Sequence, residues 1–379
     1  MTYVAPAMVN AHSHAFQRDL RGIAERPAPE AHVQDDFWSW RTAMFAAANA
    51  LDPESMRDVA ARVYAEMRAA GYGVVGEFHY AHHQPDGTPY AEPNAMAFAV
   101  AEGALDAGLE IVLIPAAYHR NGWDGGDRPP VSGQRRFCDP DVESFIARVD
   151  ALRSWASGRA GVSVAIAAHS VRAVPASWLE EIARYADAHD VPRHVHAHEQ
   201  RRELVECEAE HGCSPIALLD RTGFLGPATS VIHGIHVSGD DIGALARTRS
   251  IVVSCPTTEG NLGDGYVPAM AYRAAGVRLA IGSDSQVRVD PFEEARELET
   301  GARRERELRF GLLSGAPDGD LWTELVVNGR ASLGLAAGRD ITIDPDHPQL
   351  AGVAAEDLPR ALATCASASI VVEPAAPPV

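Results

Sequence analysis

Residues 51–80 read LDPESMRDVAARVYAEMRAAGYGVVGEFHY. Asp52 is placed to cap a helix, Pro53 suits its first turn and Gly71 suits its stop. The apolar run YGVVGEFHY that follows reads as a strand. A helix that ends on glycine and passes straight into an apolar strand is one unit of an α/β chain, and the flanking sequence supplies more. Upstream, APAMVNAHSH (residues 5–14) reads as a strand. Downstream come LEIVLIPAAYH (109–119), GVSVAIAAHS (161–170), PRHVHAHEQ (192–200), TSVIHGIHV (229–237), SIVVSCP (250–256) and VRLAIGSDS (277–285), with helix-like sequence between them.

These eight strand candidates are uniformly apolar, as in a parallel sheet covered on both faces. Eight β/α units in order favour closure into a TIM-type (β/α)8 barrel over an open doubly wound sheet. The active site then lies at the C-terminal strand ends, where His12, His14, Tyr80, His169, His196, His233 and Asp284 fall. Beyond residue 338 the pattern breaks into short β-like pieces and a Pro-rich tail. The expected organisation is a catalytic barrel over residues 1–338 and a short β-like remnant over 339–379.

The chain has 379 residues, is 46% hydrophobic and carries a net charge of −19. No apolar run is long enough to cross a membrane, and the N-terminus does not read as a secretory signal, so the cytoplasm is the expected compartment. The acidic balance argues against nucleic acid as a partner and requires local arginines for any anionic substrate. The five cysteines are scattered and suggest no disulfide framework. There is no lysine at all, which excludes Schiff-base lysine chemistry, a P-loop, and a metal site bridged by a carbamylated lysine.

In a strand, residues two apart share a face, so His12 and His14 project together. Neutral imidazoles are good zinc ligands. His196, His233 and Asp284 close three further strands and are also ligand types, which outweighs reading them as satisfied core residues. His194 shares a face with His196 and competes with it. His198 and His236 read as packing residues, and His79, His82 and His83 as a histidine-rich loop over the site. TTEGNLGDG (257–265) reads either as an anion cradle or as a tight loop beside the substrate.

This ligand pattern resembles the amidohydrolase superfamily, and the lack of lysine points to its mononuclear branch. The motifs HSHAFQR, FWSWR, GEFHYAHH, AHSVRAV, HAHEQ, CPTTEGNLGDG and GSDSQV, in that order over residues 6–338, resemble the formimidoylglutamate deiminase family. The resemblance implies that His12, His14, His196 and Asp284 bind one zinc ion, with iron or another divalent metal as alternatives. It implies that Glu199 and His233, with Asp284, handle protons, and that Gln17, Arg41, Tyr80, His169 and Arg172 hold the substrate. The implied reaction is hydrolytic deamination of N-formimidoyl-L-glutamate, a small anionic amidine, to N-formyl-L-glutamate and ammonia in histidine degradation. The competing readings are a mononuclear zinc aminohydrolase acting on another formimidoyl or guanidino acid or a nucleobase, and a catalytically inactive metal-binding barrel. Family members are expected to be homodimers and to carry a small β-sandwich. Here that annex is expected to be reduced or missing, leaving apolar strand edges exposed.

Overall fold

A computed structural model of the chain describes residues 2–26 and 37–378. Among these the strands are β1 (Tyr3–Pro6), β2 (Met8–Ser13), β3 (Tyr72–His79), β4 (Glu110–Ala117), β5 (Val162–Val164), β6 (Ile166–Ser170), β7 (Arg193–Ala197), β8 (Thr229–His233), β9 (Ile251–Ser254), β10 (Arg278–Ile281), β11 (Asp340–Ile343) and β12 (Val371–Glu373). β2, β3, β4, β6, β7, β8, β9 and β10 form one parallel sheet in that order, with β5 added on β4. Helices connect the strands, and every residue of β2, β3, β7, β8 and β9 is buried. This explains why these strands read as continuous apolar runs. No described helix is long and apolar enough to cross a membrane.

The helix of residues 53–70 forms for local reasons. The Asp52 carboxylate accepts the Ser55 backbone N–H at 2.9 Å, and the Ser55 hydroxyl accepts the Asp52 N–H at 2.9 Å. Pro53 fills the first helical position, and Gly71 ends the helix at φ 107°, a left-handed value that suits glycine. β3 begins at the next residue.

Two strand readings divide in the structure. APAMVNAHSH breaks at Ala7, after a proline with no N–H. The Ala7 N–H donates to Arg339 at 2.8 Å, and the Met8 N–H donates to Gly71 at 3.0 Å. The chain thus leaves one sheet and enters the other within a residue. GVSVAIAAHS divides into β5 and β6, joined by Ala165, whose N–H donates to Leu113 at 2.8 Å. Residues 3–6, assigned to the barrel by the sequence reading, instead pair antiparallel with β11, and β12 completes a three-stranded sheet. Ile341 and Ile343 bury one side of this annex, while Val4 and Val372 on its outer strands are exposed.

The barrel closes between β2 and β10 without a continuous ladder. The Asp284 N–H donates to the His12 carbonyl and the His14 N–H donates to the Asp284 carbonyl, both at 3.0 Å. Side chains tie the rest of the seam. Asn10 Nδ2 donates to Ser283 Oγ at 2.6 Å, and the Ser283 N–H returns to Asn10 Oδ1 at 3.0 Å. Gln286 Nε2 donates to Ser13 Oγ at 2.9 Å and to the Asp284 carbonyl at 2.7 Å. A Cβ on Gly282 would lie 2.6 Å from the His12 carbonyl oxygen and 2.8 Å from His12 Cβ. Glycine at 282 is therefore a packing requirement of closure. Gly282→Ala is expected to cost about 1–3 kcal/mol, the range for overpacking, and to lower both the thermal midpoint and the metal content. A protein unchanged in both would show that the seam yields freely.

Candidate active site and metal centre

At the closed seam, β2 and the residue just past it deliver two imidazoles, β7 a third, and the residue three past β10 a carboxylate. The ligand-type atoms of His12, His14, His196 and Asp284 all lie within 4.8 Å of one another. His12 Nε2 is 3.1 Å from His196 Nε2 and 3.4 Å from Asp284 Oδ1, and His14 Nε2 is 3.3 Å from the same oxygen. Donors about 3.3 Å apart match the edges of a coordination shell with metal–ligand bonds of about 2.1 Å.

The tautomers suit a cation as well. His14 Nδ1 donates to the Phe78 carbonyl at 2.8 Å, and His196 Nδ1 donates to the His169 carbonyl at 2.9 Å. Each bond leaves a lone pair on Nε2 facing the centre. Burial lowers all three imidazole pKa values, His12 to about 3, so they are neutral donors. Burial raises the Asp284 pKa, but the hydrogen bond with His12 and the attraction of the surrounding imidazoles, His233 among them, outweigh it and hold the carboxylate ionised. Three neutral nitrogens and one anionic oxygen form a donor set for a divalent metal ion. Glu77 steadies this set from below by accepting from Ser13 Oγ at 2.6 Å and the Ala15 N–H at 2.7 Å, on either side of His14. Its own pKa is pushed up to about 8 by burial.

Beside the centre stand two further buried titratable side chains, His233 and Glu199. His233 Nε2 lies 3.6 Å from Glu199 Oε1 and 3.9 Å from Asp284 Oδ2. Burial pushes the Glu199 pKa up to about 8. Burial disfavours the His233 cation, but the carboxylates facing the ring, Glu199, Glu259 and Asp284, outweigh it and raise the pKa, which makes the neutral form of this ring a strong proton acceptor. The backbone is constrained here: His233 and Asp284 occupy the left-handed region at φ 71° and 49°. Non-glycine residues take such values at a cost, and they concentrate at functional sites.

One pocket collects the remaining expected residues. Gln17, Arg41, Tyr80, His169 and Arg172 line it together with His14, His196, Glu199, His233 and Asp284. Gln17 Nε2 donates to Tyr80 Oη at 3.0 Å, and its buried Oε1 has no partner among the described residues. Arg41 donates to Tyr118 Oη at 2.7 Å, and the guanidinium groups of Arg41 and Arg172 lie 5.4 and 5.3 Å from the Trp38 ring centre. Neither arginine is ion-paired with a carboxylate among the described residues, and Arg172 Nε is buried without a partner.

Several histidines take other places. His194 Nε2 faces the Ser332 carbonyl at 3.0 Å and stays outside the metal donor group. His198 staples a loop through the His236 carbonyl at 2.8 Å and the Ile216 N–H at 3.2 Å. The expected loop of His79, His82 and His83 over the site is corrected. All three are buried and lie outside the pocket lining, with His82 Nε2 on the Ala116 carbonyl at 3.0 Å and His83 3.4 Å from Asp139. Strand parity turns Phe78 and Tyr80 toward His14 and leaves His79 on the opposite face. Sequence reasoning missed Tyr118, Glu77 and Glu259. Glu259 stood in a motif read only for its glycines, although an acidic residue just past a barrel strand was a usable signal.

The amidohydrolase family model matches residues 3–328 of the chain. The chain is 35% identical over 366 residues to Formimidoylglutamate deiminase of Pseudomonas aeruginosa, covering 94% of this chain and 79% of that one. It is 28% identical to 5-methylthioadenosine/S-adenosylhomocysteine deaminase of Haloarcula marismortui, covering 92% and 74%. Among solved structures it superposes on an amidohydrolase from Brucella melitensis with a TM-score of 0.87 and 32% identity, covering 98% of this chain and 85% of that one. With metal-type donors at three strand ends, and with the family match and relatives above, the chain belongs to the amidohydrolase family and is a hydrolase of carbon–nitrogen bonds.

Proposed function

We propose that the protein hydrolyses the terminal carbon–nitrogen bond of a linear amidine borne by an acidic amino acid. The specific reaction is N-formimidoyl-L-glutamate plus water to N-formyl-L-glutamate plus ammonia, a step of histidine degradation. The observation that carries this reading is the pair Arg41 and Arg172. In a chain of net charge −19, two arginines that form no ion pair with a carboxylate among the described residues share a pocket with the metal-type donors. Guanidinium forks suit carboxylates, and the substrate carries two. The named P. aeruginosa relative supports the same substrate. A neutral nucleobase or nucleoside would give these charges nothing to bind.

His12, His14, His196 and Asp284 would hold one zinc ion, which when bound supplies Lewis acidity and a hydrolytic water whose pKa falls to roughly 7. Asp284 also turns its second oxygen toward His233, so that one carboxylate addresses both the metal donors and the proton-handling pair. His233 receives a proton at Nε2. Glu199, kept protonated by burial, donates to the departing nitrogen. Gln17 and Tyr80 orient the amidine, and Arg41 and Arg172 fix the carboxylates, so the reacting carbon is held in place.

Zinc-loaded protein is expected to release ammonia from N-formimidoyl-L-glutamate, and Asp284→Ala is expected to abolish both release and stoichiometric zinc. Turnover of adenine-type substrates with none of this amidine would overturn the assignment. Arg172→Ala is expected to raise KM by at least about tenfold, from loss of a charged hydrogen bond worth about 1.5–3 kcal/mol, with zinc content unchanged. The acid role of Glu199 has a direction in pH. Its protonated form is present below about pH 8 and is lost as pH rises through that value, so kcat should fall on the alkaline side. Glu199→Gln should remove that limb along with most of the rate, and an unchanged profile would take Glu199 out of the mechanism.

A further inference from the structure

Glu259 is almost wholly buried, at 3% exposure, and its carboxylate is fixed on three sides. Oε2 accepts from Ser254 Oγ at 2.8 Å. Oε1 accepts from the Cys255 N–H at 2.7 Å, and the same oxygen lies 3.2 Å from His233 Nδ1. Ser254 ends β9 and Cys255 is the next residue, so the strand end holds the carboxylate and the carboxylate holds the imidazole. His233 itself sits at φ 71°, so nothing in the default geometry of a strand end aims its ring. With a proton on Nδ1 bound to Glu259, the Nε2 lone pair is left toward Glu199 and Asp284. A carboxylate behind an imidazole fixes both tautomer and ring plane.

We infer that Glu259 is a positioning residue: by accepting a hydrogen bond from His233 Nδ1 it holds that ring in the tautomer and orientation in which Nε2 receives a proton during hydrolysis. The inference rests on the proton-handling role given to His233 above. It differs from a loop-stabilising role, in which Glu259 would only satisfy Ser254 and the Cys255 amide.

The test has two arms on zinc-loaded protein. The first needs no substrate: histidine labelled with 15N is followed by NMR, with the His233 Nδ1–H signal assigned by its loss in His233→Asn. That signal should be protected from exchange in the unmutated protein and in Glu259→Gln, and should be lost in Glu259→Ala. The second arm is kinetic. Glu259→Ala should lose about 10–100-fold in kcat, the usual effect of removing such a partner, while KM and zinc content stay close to those of the unmutated protein; the thermal midpoint should fall, because the Ser254 hydroxyl and the Cys255 N–H lose their buried acceptor. Glu259→Gln should recover most of the loss, because its amide oxygen still accepts from Nδ1. Should Glu259→Ala fail to fold, Glu259→Asp carries the same contrast, since it withdraws the acceptor by one methylene. An unmutated-like signal and rate in Glu259→Ala would overturn the inference. So would a Glu259→Gln protein as slow as Glu259→Ala, because a charge role would then replace positioning. An inactive unmutated protein that shows the protected signal would count against the substrate and not against Glu259.

Discussion

The closing contact between β2 and β10 is the constraint on which the rest of the molecule depends. The two backbone hydrogen bonds that join His12 and His14 to Asp284 shut the barrel and also set three metal-type donors against each other. Glycine at 282 lets the backbones approach, and the Asn10, Ser283, Gln286 and Ser13 network replaces the ladder that the seam lacks. Closure and site assembly are thus one event. The barrel cannot close in another register without dispersing the donors, because a one-residue slip turns every side chain to the other face.

Charge is sorted within the pocket in spite of the acidic chain. Glu199 and Asp284 gather at His233 Nε2 beside the metal-type donors, where the proposed amidine would sit, and Glu259 stands behind the same ring. Arg41 and Arg172 meet at Trp38, whose aromatic face lets two like charges stand near one another. A substrate with a cationic end and an anionic end has only one favourable way to lie between these groups. Low dielectric in so buried a site strengthens both halves of that preference.

Much of the barrel was legible because its signals are local. Asp52, Pro53 and Gly71 bound a helix by capping chemistry, and apolar runs mark strands that are buried on both faces. The His12–His14 pair was legible through strand parity, and the choice of His196 over His194, with Glu199, came only through the family resemblance. What escaped notice was what depends on long-range packing. Tyr118 reads as an ordinary core aromatic until Arg41 and Gln134 are seen to converge on its hydroxyl. His79, His82 and His83 look like ligands in sequence, yet the pleat turns His79 away from the centre and the turn beyond it carries His82 and His83 into the packing behind.

The sequence by itself determined the order of the β/α units, the residue types at the strand ends, and the exclusion of lysine chemistry. All of these follow from periodicity and composition. Only the tertiary structure decided that residues 3–6 leave the barrel to pair with β11, that His194 turns to Ser332 while His196 joins the donors, and that Glu259 stands behind His233. Each of these choices depends on which hydrogen-bond partner is met once distant segments are packed, and no local pattern encodes that partner.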